Sequence, residues 1–250
     1  MTRLALPALA LAATMFSTTS ALAFDPADMS DSESAAFGEA VRAYLLENPE
    51  VLVEAFQLLE QRNADQQAGA DKQLVAMYSD EIFDDGVSWV GGNPDGDVTL
   101  VEFMDYRCGY CRRAVPEVDS LLSTDGNIRL IIKEFPILGE ASVISSRFAI
   151  ATQMVAGDEA YKQVHDALID YSGDMGDVAL RRLAEGLGLD ADPILEKMGS
   201  EEVSRVISDN RELARSLQIN GTPTFVLGDE LLRGYLPAAE MAKIVEDQRG

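Results

Sequence analysis

Val98-Thr99-Leu100-Val101-Glu102-Phe103-Met104-Asp105-Tyr106-Arg107-Cys108-Gly109-Tyr110-Cys111 decides how the chain folds. Its first seven residues are almost continuously apolar, the pattern of a central strand buried on both faces. Gly109 to about Leu122 then reads as a helix, and Ile128-Arg129-Leu130-Ile131-Ile132-Lys133 as a second strand. Strand, helix and strand in this order make a β-α-β unit, with a right-handed crossover and parallel strands. Cys108 and Cys111 therefore fall between the end of a buried strand and the first turn of a helix. There the first sulfur meets unpaired backbone N–H groups and the positive end of the helix dipole, which favour thiolate over thiol.

Working outward, Val87-Ser88-Trp89-Val90 is a short strand closed by a turn over Gly91-Gly92-Asn93-Pro94-Asp95-Gly96. Downstream, Gly139 to Ile219 reads as successive helices punctuated by Gly157, Gly173, Gly188 and Gly199. Thr224-Phe225-Val226-Leu227, Gly228-Asp229 and Glu230-Leu231-Leu232-Arg233 form a strand, a two-residue turn and a strand. A helix beginning near Pro237 ends the pattern. Without the helical block the order is β-α-β, then β-β-α, an α/β class. Upstream, Ser34 to about Tyr78 is helical, with apolar faces at Phe37, Val41, Tyr44 and Leu45 and at Val51, Leu52, Ala55, Phe56, Leu58 and Leu59. Asn48-Pro49-Glu50 restarts the helix, with Asn48 as N-cap. Arg62 to Gln73 is polar and reads as a solvated helix or a linker.

Composition narrows the function. With 43 Asp and Glu against 20 Lys and Arg the net charge is −23, so nucleic acid and anionic membranes are poor partners. Arg3, the apolar run Leu4–Phe16 and Ala21-Leu22-Ala23 have the layout of a cleaved export signal over residues 1–23. The mature chain is then expected in the periplasm, where disulfides form. Two cysteines and the lone His165 leave a structural zinc site short of ligands, so no metal is expected. A two-residue gap also makes the cysteine pair a poor structural staple, because closing so small a loop removes little chain entropy. A redox-active disulfide, Cys108–Cys111, is the favoured reading, with no further cofactor. Glu102 is an acid in an otherwise apolar strand, either a buried proton handler, with Lys133 as candidate partner, or an exposed edge carboxylate. Arg107, Arg112 and Arg113 supply local positive charge that would lower the Cys108 pKa, to roughly 4–6 with the helix terminus, or, for Arg112 and Arg113, are solvated side chains on an exposed helix turn. His165 reads as a packing residue.

The motif Val101–Cys111, Pro116, Glu134-Phe135-Pro136-Ile137-Leu138-Gly139 and Gly221-Thr222-Pro223-Thr224-Phe225 resemble the DsbA-like thiol–disulfide oxidoreductases. With the N-terminal helices, the chain looks most like the suppressor-of-copper-sensitivity C type of disulfide isomerase. The resemblance implies a thioredoxin fold over residues 81–250, with a helical insertion at about 139–220. It also implies an N-terminal helical oligomerisation segment and linker over residues 24–80. Cys108 would attack, Cys111 would resolve, and Glu102 would move the proton of the inner cysteine. Gly109, Tyr110, Thr222 and a cis Pro223 would face the client peptide. Partners would be cysteine-containing proteins and a membrane thiol–disulfide partner, and the assembly a homo-oligomer, with a trimer favoured. Gly109-Tyr110 places no histidine between the cysteines, which favours isomerase or reductase over a dithiol oxidase. The third alternative is a copper-binding or scaffold protein that uses the cysteines as ligands.

Overall fold

A computed structural model describes residues 29–250, so the expected export signal lies outside the described residues. The chain divides between Glu60 and Gln61 into two compact units. The elements, in order, are α1 (Asp31–Glu47), α2 (Glu50–Met77), α3 (Ser79–Phe83), β1 (Trp89–Gly92), β2 (Val98–Met104), α4 (Gly109–Asp125), β3 (Ile128–Glu134), α5 (Glu140–Ala156), α6 (Asp158–Asp170), α7 (Asp177–Gly186), α8 (Ala191–Lys197), α9 (Glu201–Ser216), β4 (Thr224–Leu227), β5 (Glu230–Arg233) and α10 (Ala238–Arg249).

In the first unit, α1 starts three residues before the expected Ser34. Ser30 and Glu33 form a capping box that the periodicity of apolar residues does not reveal. Asn48 is not the N-cap of the next helix. Its side-chain amide turns back and donates to Tyr44 O at 2.9 Å, closing the end of α1. The apolar residues of this unit are exposed: Phe37, Val41, Tyr44, Leu52, Phe56, Leu58 and Leu59 all face outward, and α1 buries none of its residues.

The stretch read as solvated helix or linker is helical, since α2 runs unbroken to Met77. In the second unit its last turns bury Asp71 and Val75. The five-stranded sheet has the order β1-β3-β2-β4-β5. β2 and β3 are parallel, and the other neighbours are antiparallel. Gly91 and Gly92 belong to β1 rather than to the following turn, paired with Leu130 and Arg129. Central position buries β2 and β3 along nearly their whole length. Alternation sends Leu100, Met104 and Ile132 into one core with α4, α10 and the inserted helices. It sends Val101, Phe103 and Ile131 into a second core with Val75, Ile82, Leu213 and Leu217. The β4–β5 hairpin turns at Gly228, whose φ of +60° disfavours any residue with a side chain.

Lys133 is fully buried on the second face, where its Nζ donates to Glu81 O at 2.7 Å and to Asp85 Oδ2 at 2.6 Å. Arg129 adds a bond to Phe83 O at 2.9 Å. Together they fasten the segment that follows α2 to the sheet. Lys133→Met is expected to destabilise the protein by about 2–3 kcal/mol in urea unfolding, because it leaves the half-buried Asp85 carboxylate without its cation, held only by Val87 and Ser88, and takes the Lys133 donor from the Glu81 carbonyl.

Candidate active site

The site is built where β2 ends. Asp105, fully buried, accepts at Oδ1 from Arg107 N (2.8 Å) and at Oδ2 from Ile137 N (2.8 Å) and Leu138 N (3.0 Å). Its own carbonyl accepts from Cys108 N at 3.0 Å. One carboxylate thus fixes the turn before the cysteines and the loop after β3. Cys108 is the N-cap of α4 in an extended conformation, and Gly109 opens the first turn. Gly109 and Tyr110 are exposed, Tyr110 by 58%. Cys111 is completely buried. Cys108 is less open than a helix start implies, at 6% exposure. The reason is Thr222, whose carbonyl accepts from Cys108 Sγ at 3.1 Å. The Thr222–Pro223 peptide bond is cis. Pro223 O in turn accepts from Gly234 N at 2.9 Å, which ties the loop to the end of β5.

Both cysteines are free thiols, and their environments push them apart. The Cys108 pKa falls from 9.0 to about 5. The hydrogen bond from the Cys111 thiol is the main cause; the Thr222 side chain and the N–H groups of Cys111 and Tyr110 assist, against burial. The same hydrogen bond, with burial and the nearby Glu102 charge, pushes Cys111 far upward. Glu102 is buried, not an edge carboxylate, and burial lifts it to about 8, aided by the charges of Cys108, Asp119 and Glu134.

Two sequence expectations need correction. Lys133 does not partner Glu102: it pairs with Phe103 in the strand register and shares the opposite sheet face. Nor are Arg107 and Arg112 what lowers the Cys108 pKa. Arg112 donates to Ile169 O (2.8 Å), Tyr106 O (3.2 Å) and Tyr171 O (3.4 Å), and Arg107 to Tyr171 O and Gly173 O (each 3.4 Å). They close the C-terminal end of α6, whose last carbonyls lack helical partners, and so dock the insertion on the cysteine turn.

A buried polar cluster beside the site was not legible as one. Glu134 receives hydrogen bonds from Tyr106 and Tyr161 at Oε1 and from Ser146 at Oε2, each at 2.7 Å. Burial raises its pKa to about 7, although these bonds oppose it. His165 lies against the cluster, Nδ1 being 3.1 Å from the Tyr106 hydroxyl, and burial lowers it to about 4, as suits a packing residue. The signal that flagged Glu102, an acid in an apolar run, was equally present at Glu134 and Asp105.

Residues 99–246 match the model of the DSBA-like thioredoxin domain, and residues 33–66 that of the copper resistance protein ScsC N-terminal domain. A thioredoxin-like oxidoreductase from Silicibacter pomeroyi is 40% identical, with TM-score 0.63 over 68% of this chain and 96% of that one. The thiol-disulfide exchange protein α-DsbA2 of Wolbachia pipientis is 28% identical, with TM-score 0.66 over 72% and 96%. BcfH of Salmonella enterica Typhimurium is 27% identical, with TM-score 0.72 over 88% and 97%. Among curated sequences, the Na(+)/H(+) antiporter NhaA 3 of Salinispora tropica is 30% identical over 54% of this chain. The chain spans only about a fifth of that protein.

A thiolate absorbance titration of the reduced protein should show one ionisation with a midpoint near pH 5. Cys111→Ala, which removes the main hydrogen bond, should move it upward. This depression stabilises the folded dithiol fully above the unfolded value of 9.0, and the contribution is lost as pH falls through about 5.

Proposed function

The chain belongs to the DSBA-like thioredoxin domain family and is a thiol–disulfide oxidoreductase, and on that premise we propose that it is exported and rearranges disulfides in misfolded proteins through Cys108 and Cys111. The observation that carries this reading is the placement of Cys108, whose pKa is lowered to about 5, 3.1 Å from the backbone of the cis Thr222–Pro223 loop. An extended client strand laid along Thr222–Pro223 would present its disulfide to that sulfur. The Cys108 thiolate attacks one client sulfur, the client S–S bond breaks, and the second client sulfur leaves as thiolate.

Two outcomes follow. In reduction, Cys111 gives its proton to the Glu102 carboxylate and attacks Cys108. The client leaves as a thiolate, having gained two electrons, and the Cys108–Cys111 disulfide forms. In isomerisation, another client thiolate attacks the mixed disulfide, a new client disulfide forms, and Cys108 returns as thiolate with no net electron transfer. No other cofactor is required; a membrane thiol–disulfide partner would restore the dithiol.

Isomerisation is favoured by the N-terminal segment. Its exposed apolar residues and its match to the ScsC N-terminal model support a homo-oligomer, a trimer in our reading, in which several reduced sites face one client. Export rests on the signal-like N-terminus; among the described residues, no helix is long and apolar enough to cross a membrane. One observation favours the oxidase alternative: a thiolate stabilised to about 5 also stabilises the dithiol form, which makes the disulfide a better oxidant. Metal stoichiometry on the reduced protein tests the copper-ligand alternative.

Sedimentation at micromolar concentration is expected to show an oligomer for the mature chain and a monomer after removal of residues 24–60. The monomer should reduce insulin yet reactivate scrambled ribonuclease poorly; a monomeric mature chain would transfer the reading to a plain oxidase. Glu102→Gln should slow release from a trapped mixed disulfide by about tenfold or more. It should also abolish an inflection in the pH profile of that rate, followed by quenched-flow, which lies below the value of about 8 that Glu102 has while Cys108 is a thiolate.

A further inference from the structure

Of the three arginines around the cysteines, Arg107 and Arg112 are engaged by backbone carbonyls. Arg113 is not. Its guanidinium sits between two aromatic rings, 5.6 Å from the Tyr110 centroid and 4.9 Å from that of Tyr235. No ion pair or hydrogen bond engages it among the described residues. The carboxylate one helical turn away, Glu117, is already occupied by the Tyr235 hydroxyl (2.9 Å) and Ala238 N (2.8 Å). Rings cover the faces of a guanidinium and leave its N–H edge open, the edge that binds a carboxylate bidentately.

The two rings come from the two sides of the cysteine site. Tyr110 is in the first turn of α4, between the cysteines. Tyr235 follows Gly234, whose N–H holds Pro223 O at 2.9 Å. Arg113 therefore bridges the elements that would flank an extended client, and it does so in a chain whose net charge of −23 disfavours acidic peptides overall.

We propose that Arg113, clamped by Tyr110 and Tyr235, is a specificity residue that selects client segments carrying an acidic side chain next to the reacting cysteine. This rests on the exchange reading above. The contact is rim-exposed and salt-screened, so its expected effect is about threefold rather than a thousandfold.

The test uses the full-length reduced protein and three synthetic peptides. Each carries one cysteine blocked as a mixed disulfide with neutral 2-thiopyridine, flanked by Glu, Gln or Lys. At low salt the Glu peptide should release thiopyridone about threefold faster than the Gln peptide, and the Lys peptide slowest. The Glu-to-Gln ratio should fall towards one in Arg113→Gln and in 0.5 M salt, whereas a purely structural role would change all three rates alike. A ratio near one in the unsubstituted protein, or one unchanged in Arg113→Gln, overturns the proposal. If the unsubstituted protein attacks none of the peptides while dithiothreitol cleaves all three, the exchange reading itself falls.

Discussion

The antiparallel pairing of β2 with β4 is the constraint on which the site depends. Phe103 faces Thr224 in that register, so the end of β2 lies beside the start of β4. The cysteine turn leaves β2 at the very edge where the Thr222–Pro223 loop enters β4. Residues 114 apart in sequence are thereby brought to 3.1 Å. The inserted helices occupy most of the chain between them, yet they do not disturb this meeting. They enter after β3 and return before β4, and Arg107 and Arg112 bond carbonyls at and just beyond the end of α6.

What could be read from sequence follows from how local each signal is. The apolar run Val98–Met104, the helix that follows it and the Gly228-Asp229 hairpin are set by near neighbours, and all are found where the pattern places them. The same holds for the cis bond at Pro223, which the quoted motif carried by resemblance. Facing across strands is not local. Lys133 looked like a partner for Glu102 because both are charges in adjacent apolar strands. A one-residue register difference puts them on opposite faces, and a loop contact with Asp85 claims the lysine instead. Arg107 and Arg112 were misjudged for a related reason. Charge near a sulfur in sequence says nothing of which carbonyls lie within reach in space. Asn48 had two helix ends to serve, and only geometry shows that it caps the one behind it.

Three buried acids near the site are held in different ways. Asp105 accepts three backbone N–H groups and anchors loops. Glu134 accepts three hydroxyls, and burial still raises it to about 7. Glu102 lies among apolar neighbours and rises to about 8. Desolvation disfavours the charged form, and hydrogen bonds to that form oppose it, so the ordering of Glu134 below Glu102 follows from their donors. The acid with the least support is the one nearest the inner cysteine in charge coupling, where a group able to exchange protons near neutral pH is useful.

The sulfur pair also carries its own timing. While both thiols are free, the hydrogen bond from Cys111 stabilises the Cys108 thiolate, and that thiolate keeps the Cys111 proton in place. The arrangement favours attack on a client and holds the second sulfur inert. Once Cys108 is joined to a client sulfur its charge is gone, and two of the causes that raise Cys111 disappear together, the hydrogen bond and the charge of Cys108. The charge of Cys108 also contributes to the raised pKa of Glu102, so that acid ionises more readily at the same moment and becomes available as a base. On the proposed reading, formation of the mixed disulfide would itself enable resolution. A client thiol that attacks first would divert the intermediate into isomerisation. The balance between reduction and isomerisation would then be a race between Cys111 and client thiols, whose local concentration the assembly would set.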